Sequence, residues 1–139
     1  MYTTILHPID LSNNHFEVCK QAQKFARFIK ADIHFLHVIE PPTSLQIAQG
    51  LGFAEVVNPK KEDVESVMEI LGEALNIPKS HQHIEVGSTC QQVLHMVNEL
   101  HCDLIILGSH TETELPAFLG STAHSIIHQA SCDVLTIKG

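Results

Sequence analysis

CDLIILGSH, residues 102–110, is the stretch whose reading decides the fold. Leu104 to Leu107 are apolar without a break, and Gly108 ends the run. A strand with one wet face alternates apolar and polar residues. A strand that is apolar throughout is covered on both faces, as in the middle of a parallel sheet. Residues 103–107 therefore predict a central parallel strand, which requires helical crossovers on either side.

Working outward, short β-branched and apolar runs alternate with segments of helical period. Residues 3–9 (TTILHPI) read as the first strand, and Asp10-Leu11-Ser12-Asn13-Asn14 supplies turn and N-cap chemistry. A helix over 14–30 follows, with Cys19, Ala22, Phe25, Ala26 and Ile29 on its inward face. Residues 32–39 (DIHFLHVI) form the second strand, which Glu40-Pro41-Pro42 ends. The stretch 43–59 is irregular and predicts a partly helical excursion over the sheet. A second helix spans 61–76, with Val64, Val67, Leu71, Ala74 and Leu75 inward.

The third strand is 82–86 (QHIEV), and Gly87-Ser88-Thr89 opens a helix through His101 carrying Val93, Leu94, Val97 and Leu100 inward. After the Gly108 loop comes a fourth helix over 121–130, with Ala123, Ile126, Ile127 and Ala130. Residues 133–138 (DVLTIK) close the chain as the fifth strand. The pattern predicts one α/β domain over 1–139: a doubly wound parallel sheet of five strands flanked by helices. Ligands of such sheets sit beyond the carboxyl ends of the strands. That directs attention to Asp10, Val38 and the Gly108 loop.

Bulk composition excludes several functions. The chain has 139 residues, a net charge of −8 and eight Lys plus Arg, so it repels a phosphate backbone and predicts no nucleic-acid partner. No apolar run approaches the length of a bilayer span, and the N-terminus lacks a signal-peptide pattern; the expectation is a cytoplasmic protein. Cys19, Cys90, Cys102 and Cys132 are scattered without a CxxC pair, as reduced and mostly buried thiols are. Eleven histidines stand out. His124 and His128 are four apart on the fourth helix and could ligate zinc with His110, and His81 and His83 flank a strand start; surface helices often carry such pairs, so no metal is expected.

Enzymatic motifs are missing. There is no G-x-S-x-G elbow, no Walker pattern and no G-x-G-x-x-G. Phosphoryl transfer calls for a lysine or arginine over the developing charge, and none is evident. A phospho-acceptor receiver domain needs paired acids after strand one and a lysine after strand five, whereas strand five here ends at Lys138-Gly139.

ILHPIDLS (5–12), HVIEPP (37–42), CDLIILGSH (102–110) and GSTAHSIIHQASCDVLTI (120–137) together resemble the universal stress protein family. The resemblance covers the whole chain, with 43–60 as its variable part. It implies a sheet of order 3-2-1-4-5, of the adenine nucleotide alpha hydrolase-like kind, and a homodimer along the fifth strand. It also implies one of two subclasses. One binds ATP or a related adenine nucleotide, such as AMP, through Gly-x2-Gly-x9-Gly-Ser/Thr; beside the negative charge of Asp10 a phosphate calls for Mg²⁺ to mediate. The other lacks that motif and serves as a dimeric regulatory or interaction protein of the stress response, not an enzyme.

Carried over residue by residue, the motif is incomplete. Gly108 matches its first glycine, Thr111 stands where the second belongs, and Gly120-Ser121 matches the closing pair one position early. Asp10 and Val38 match the positions beside the adenosine. The resulting candidate site is Pro8, Asp10, Val38, Gly108, Thr111, Gly120, Ser121 and Thr122. Backbone N–H groups at the start of the fourth helix suit a phosphate. Thr111 resists the positive φ a glycine there would allow, and Glu112 and Glu114 bring negative charge to the loop. These features favour the regulatory reading; Asp10, Val38 and Gly120-Ser121 favour the nucleotide reading.

Overall fold

The computed structural model describes residues 1–11, 15–41, 50–52, 60–109 and 121–138. Five strands, β1 (Thr4–Ile9), β2 (Asp32–Ile39), β3 (Gln82–Val86), β4 (Leu104–Ser109) and β5 (Asp133–Lys138), form one parallel sheet of order β3-β2-β1-β4-β5. Helices α1 (His15–Ile29), α2 (Lys60–Leu75), α3 (Thr89–Leu100) and α4 (Ser121–Gln129) connect them, with a 3₁₀ turn at Lys79–His81 before β3. The expected sheet is present, and each expected strand and helix lies within two residues of its anticipated bounds. The excursion expected over 43–59 lies largely outside the described residues.

Alternation along β1 divides the core in two. Ile5 and Ile9 face α1 and α2 and pack with Cys19, Ala22, Ala26, Met68, Leu71 and Leu75. Leu6 faces the other way, joining Leu36, Val93, Met96, Val97 and Ile126 beneath α3 and α4. In β4 both faces are covered: Leu104 to Leu107 are all buried, as the unbroken apolar run requires.

Some inward faces rotate away from expectation. On α2 the buried stripe is Val64, Met68, Leu71 and Leu75, spaced i, i+4, i+7, i+11, while Val67 and Ala74 are exposed. Met68 takes the place expected of Val67 because four residues complete a helical turn more nearly than three. On α3 it is Met96, with Val93 and Val97, that is buried. On α4 only Ile126 is, and Ile127 faces outward.

Capping comes from distant carboxylates. Asp103, one residue before β4, accepts from the N–H groups of Thr3 and Thr4 at 2.9 and 3.1 Å and from the Thr3 hydroxyl at 3.1 Å. The Tyr2 phenol donates to Asp133 at 2.7 Å. The amino edge of the sheet is thereby tied across β1, β4 and β5. At the opposite edge the Glu40 carboxylate, just past β2, accepts the N–H of Thr89 at 2.9 Å and caps α3, a task that the Ser88 side chain leaves undone.

Candidate functional site

Two neighbouring strands part where a doubly wound sheet opens its ligand crevice. β1 pairs β2 over six residues, from Thr4↔Asp32 to Ile9↔His37, but pairs β4 only at Ile5↔Leu104 and Leu6↔Ile105. The cause is in the sequence. Odd residues of β1 turn their backbone groups to β2, since Thr3 O accepts from Asp32 N. Even residues turn theirs to β4, since Thr4 O accepts from Asp103 N. Pro8 is even and has no N–H, so the next rung, to the Ile106 carbonyl, cannot form.

His7 supplies what Pro8 lacks. Its Nδ1–H donates to Ile106 O at 2.8 Å. The ring is fully buried, edge-on to Phe35 at 5.5 Å, and its Nε2 has no hydrogen-bond partner among the described residues. Burial drives its pKa down to about 4, against the smaller opposing effect of the Ile106 carbonyl. His7 is therefore a neutral imidazole at pH 7. Pro8, expected as a ligand contact, also serves the fold by separating the two strands.

Asp10 follows at the carboxyl end of β1, with its side chain about half exposed. The chain turns at once through Leu11, whose φ is +60°, a left-handed conformation uncommon outside glycine. His15, the first residue of α1, is buried and places Nδ1 3.3 Å from Asp10 Oδ1. One helical turn on, Cys19 Sγ lies 2.7 Å from His15 Nε2. Aspartate, histidine and cysteine thus stand in the order of a nucleophilic triad. Cys19 cannot serve as a nucleophile, because it is completely buried and burial pushes its thiol up to about 12.

Val38 lies near the carboxyl end of β2 but is buried in the α3-side core, so most of its surface is committed to packing. Gly108, in β4, pairs Ile137 of β5. A Cβ there would meet Val18 Cγ1 of α1 at 3.0 Å, so this glycine lets α1 approach the strand end closely. Ser121 and Thr122 open α4 and are exposed. Thr111, Gly120, Glu112 and Glu114 lie outside the described residues. The structure thus sets Asp10, Val38 and Gly108 at the carboxyl edge of three adjacent strands.

The histidines sort into distinct groups. His34 of β2 and His83 of β3 share a hydrogen bond at 3.0 Å, and His81 stacks on His34 at 4.0 Å. Burial lowers His34 to about 4 and lowers His83, and their histidine neighbours add to both effects. His124 and His128 meet edge-to-face at 4.3 Å on α4, and His110 lies outside the described residues. Among the described residues no group of three His, Cys, Asp or Glu is placed to hold a metal ion. Spacing alone revealed the His81–His83 pair; His34 joins them only through the β2–β3 register.

The model of the universal stress protein family matches residues 1–138. The chain belongs to the universal stress protein family. Among curated relatives, universal stress protein A homolog 1 of Coxiella burnetii is 32% identical, covering 98% of this chain and 96% of the relative. Universal stress protein G of Escherichia coli O157:H7 is 31% identical, covering 99% and 100%. The solved structure of the hypothetical protein MJ0577 matches with a TM-score of 0.76 and 27% identity, over 100% of this chain and 97% of that one. A universal stress protein in complex with cAMP matches with a TM-score of 0.69 over 99% and 97%; at 14% identity that likeness concerns the fold.

Proposed function

We propose that this universal stress protein acts in the cytoplasm as a small, non-catalytic regulator of the stress response. It works as a homodimer joined along β5, and its crevice at the carboxyl edge takes the adenosine end of an adenine nucleotide. The observation that carries the nucleotide part is the parting of β1 and β4 at Pro8, which opens the sheet beside Asp10. The sequence from Gly108 to Ile127 contains no lysine or arginine, so a polyphosphate gains little there beyond backbone N–H groups and Mg²⁺. AMP or ATP–Mg²⁺ therefore binds mainly through its nucleoside. Hydrolysis is no more than incidental, for want of a cation over the leaving phosphate.

The dimer rests on β5. Among the described residues this edge strand pairs β4 alone, and Val134, Leu135 and Ile137 are only half-buried on it. An edge strand of this kind is a template for a second copy.

Ultraviolet absorbance tests the nucleotide reading. The chain has no tryptophan and one tyrosine, so a co-purified nucleotide dominates the spectrum near 260 nm. A protein-only spectrum together with no heat on titration with AMP or ATP–Mg²⁺ would remove it. If binding is seen, Gly120→Val abolishes it. Light scattering tests the dimer: a mass near 15.4 kDa at micromolar concentration counts against it.

A further inference from the structure

We propose that His15 positions Asp10 for its ligand, and that Cys19 holds His15 in the one tautomer able to do so. The proposal rests on the adenosine-site reading above and adds to it a residue outside the family motif.

The argument is one of proton placement. The buried Cys19 thiol keeps its proton at neutral pH and so is a donor. It can give that proton to His15 Nε2, 2.7 Å away, when Nε2 is bare. A neutral imidazole with a free lone pair on Nε2 carries its proton on Nδ1. Nδ1 is the atom that faces Asp10 Oδ1 at 3.3 Å. One tautomer satisfies both neighbours; the other would reduce the sulfur to a weak acceptor of an N–H and set a bare nitrogen against a carboxylate, which only accepts.

Geometry keeps the arrangement in place. His15 and Cys19 are separated by one turn of the same helix, so their spacing is set by the backbone. His7 lies parallel to the His15 ring, with centroids 6.2 Å apart and planes within 7°, and is itself fixed by Ile106. Asp10, by contrast, follows the last residue of its strand and precedes a left-handed turn. A half-exposed carboxylate there has many rotamers, and a buried donor selects among them before any ligand arrives. Asp10 makes further interactions beside the one with His15.

The test uses the full chain, its histidines labelled with ¹⁵N. Nitrogen chemical shifts at pH 7.5 should show His15 with Nδ1 protonated and Nε2 bare, and Cys19→Ala should mix the tautomers. In His15→Ala the carboxyl carbon of Asp10 should titrate at higher pH than in the parent. His15→Asn, which keeps an N–H near the Nδ1 position, should restore the parent value. ATP–Mg²⁺ or AMP binding by calorimetry should weaken about tenfold in His15→Ala and stay within about threefold in His15→Asn. Protonated Nε2 in the parent, or an unmoved Asp10 titration, overturns the proposal whether or not a nucleotide binds. Equal affinity of parent and His15→Ala overturns it as well. A parent that binds no adenine nucleotide sinks the ligand reading alone, and the nitrogen and carboxyl measurements then decide whether His15 positions Asp10.

Discussion

His7 donates its Nδ1–H to the carbonyl of Ile106 at 2.8 Å, in the place where Pro8 has no N–H to give. One side chain replaces a missing rung of the sheet and lets two strands diverge without orphaning a buried carbonyl. His7→Leu should destabilise the protein by about 1–3 kcal/mol, the cost of leaving that oxygen unsatisfied. Pro8→Ala, which restores a backbone N–H at that position, should be nearly neutral alone and recover about 1 kcal/mol in the His7→Leu background. Urea denaturation of the four proteins reads this coupling. Strict additivity would show that the two residues do not share Ile106.

Acid should weaken the fold in a window that belongs to histidine. His7 is held at about 4 when folded, and its ordinary value is 6.5. As pH falls, the unfolded chain takes up this proton first, so stability is complete above about pH 6.5 and is lost on the way to pH 4. The loss from His7 approaches about 3 kcal/mol. His34 and His83 act in the same direction, the partly exposed rings contributing less. Glu40 and Asp103 are lowered too, but by hydrogen bonds, Glu40 by Thr89 and Asp103 by Thr3 and Thr4, which outweigh the opposing effect of burial. Their contributions disappear only below the ordinary carboxylate values of 4.5 and 3.8. Denaturation midpoints at pH 7.5, 6, 5 and 4.5 should therefore fall steadily, and His7→Leu should flatten the curve.

Thiol labelling should divide the four cysteines. Cys19 and Cys102 are buried, and burial pushes both thiols up to about 12. Cys90 and Cys132 are partly exposed. Iodoacetamide at pH 7.5 followed by peptide mass analysis should modify Cys90 and Cys132 in the folded protein and reach Cys19 and Cys102 only in denaturant. Rapid native labelling of Cys19 would contradict the closed packing beneath α1.

Gly108→Ala should cost about 1–3 kcal/mol, because the new methyl meets Val18 Cγ1 at 3.0 Å. Val18→Ala should relieve most of that cost in the double variant, read by thermal denaturation. If Val18→Ala brings no relief, the glycine is required for another reason.

Much of this architecture was legible because its signals are local. The unbroken run Leu104–Leu107 announced a central strand, and helical period marked α1 through α4. Where the reading slipped, at Val67 and Ala74, the omitted residue was Met68, whose flexible side chain fills the core as well as a valine would. The carboxyl-edge positions Asp10, Val38 and Gly108 were also foreseen, since strand ends can be read from turns. His7, with Pro8 and Ile106, could not be read that way, because its role depends on which edge of β1 faces β4. His15 and Cys19 carried a usable signal, their four-residue spacing on α1. What that spacing could not reveal is that Asp10 folds back to complete the row.

The tie between Tyr2 and Asp133 has an optical consequence. With no tryptophan in the chain and six weakly emitting phenylalanines, its near-ultraviolet emission is dominated by one phenol, which donates to the first residue of β5. That hydrogen bond, chief among several acidic influences, raises the phenol above its ordinary pKa. A phenol bound to a carboxylate emits weakly, whereas a phenol in water emits brightly. The fluorescence of this single residue thus gauges whether the outermost strand is seated, and it does so without any label attached to the edge proposed to receive a second subunit.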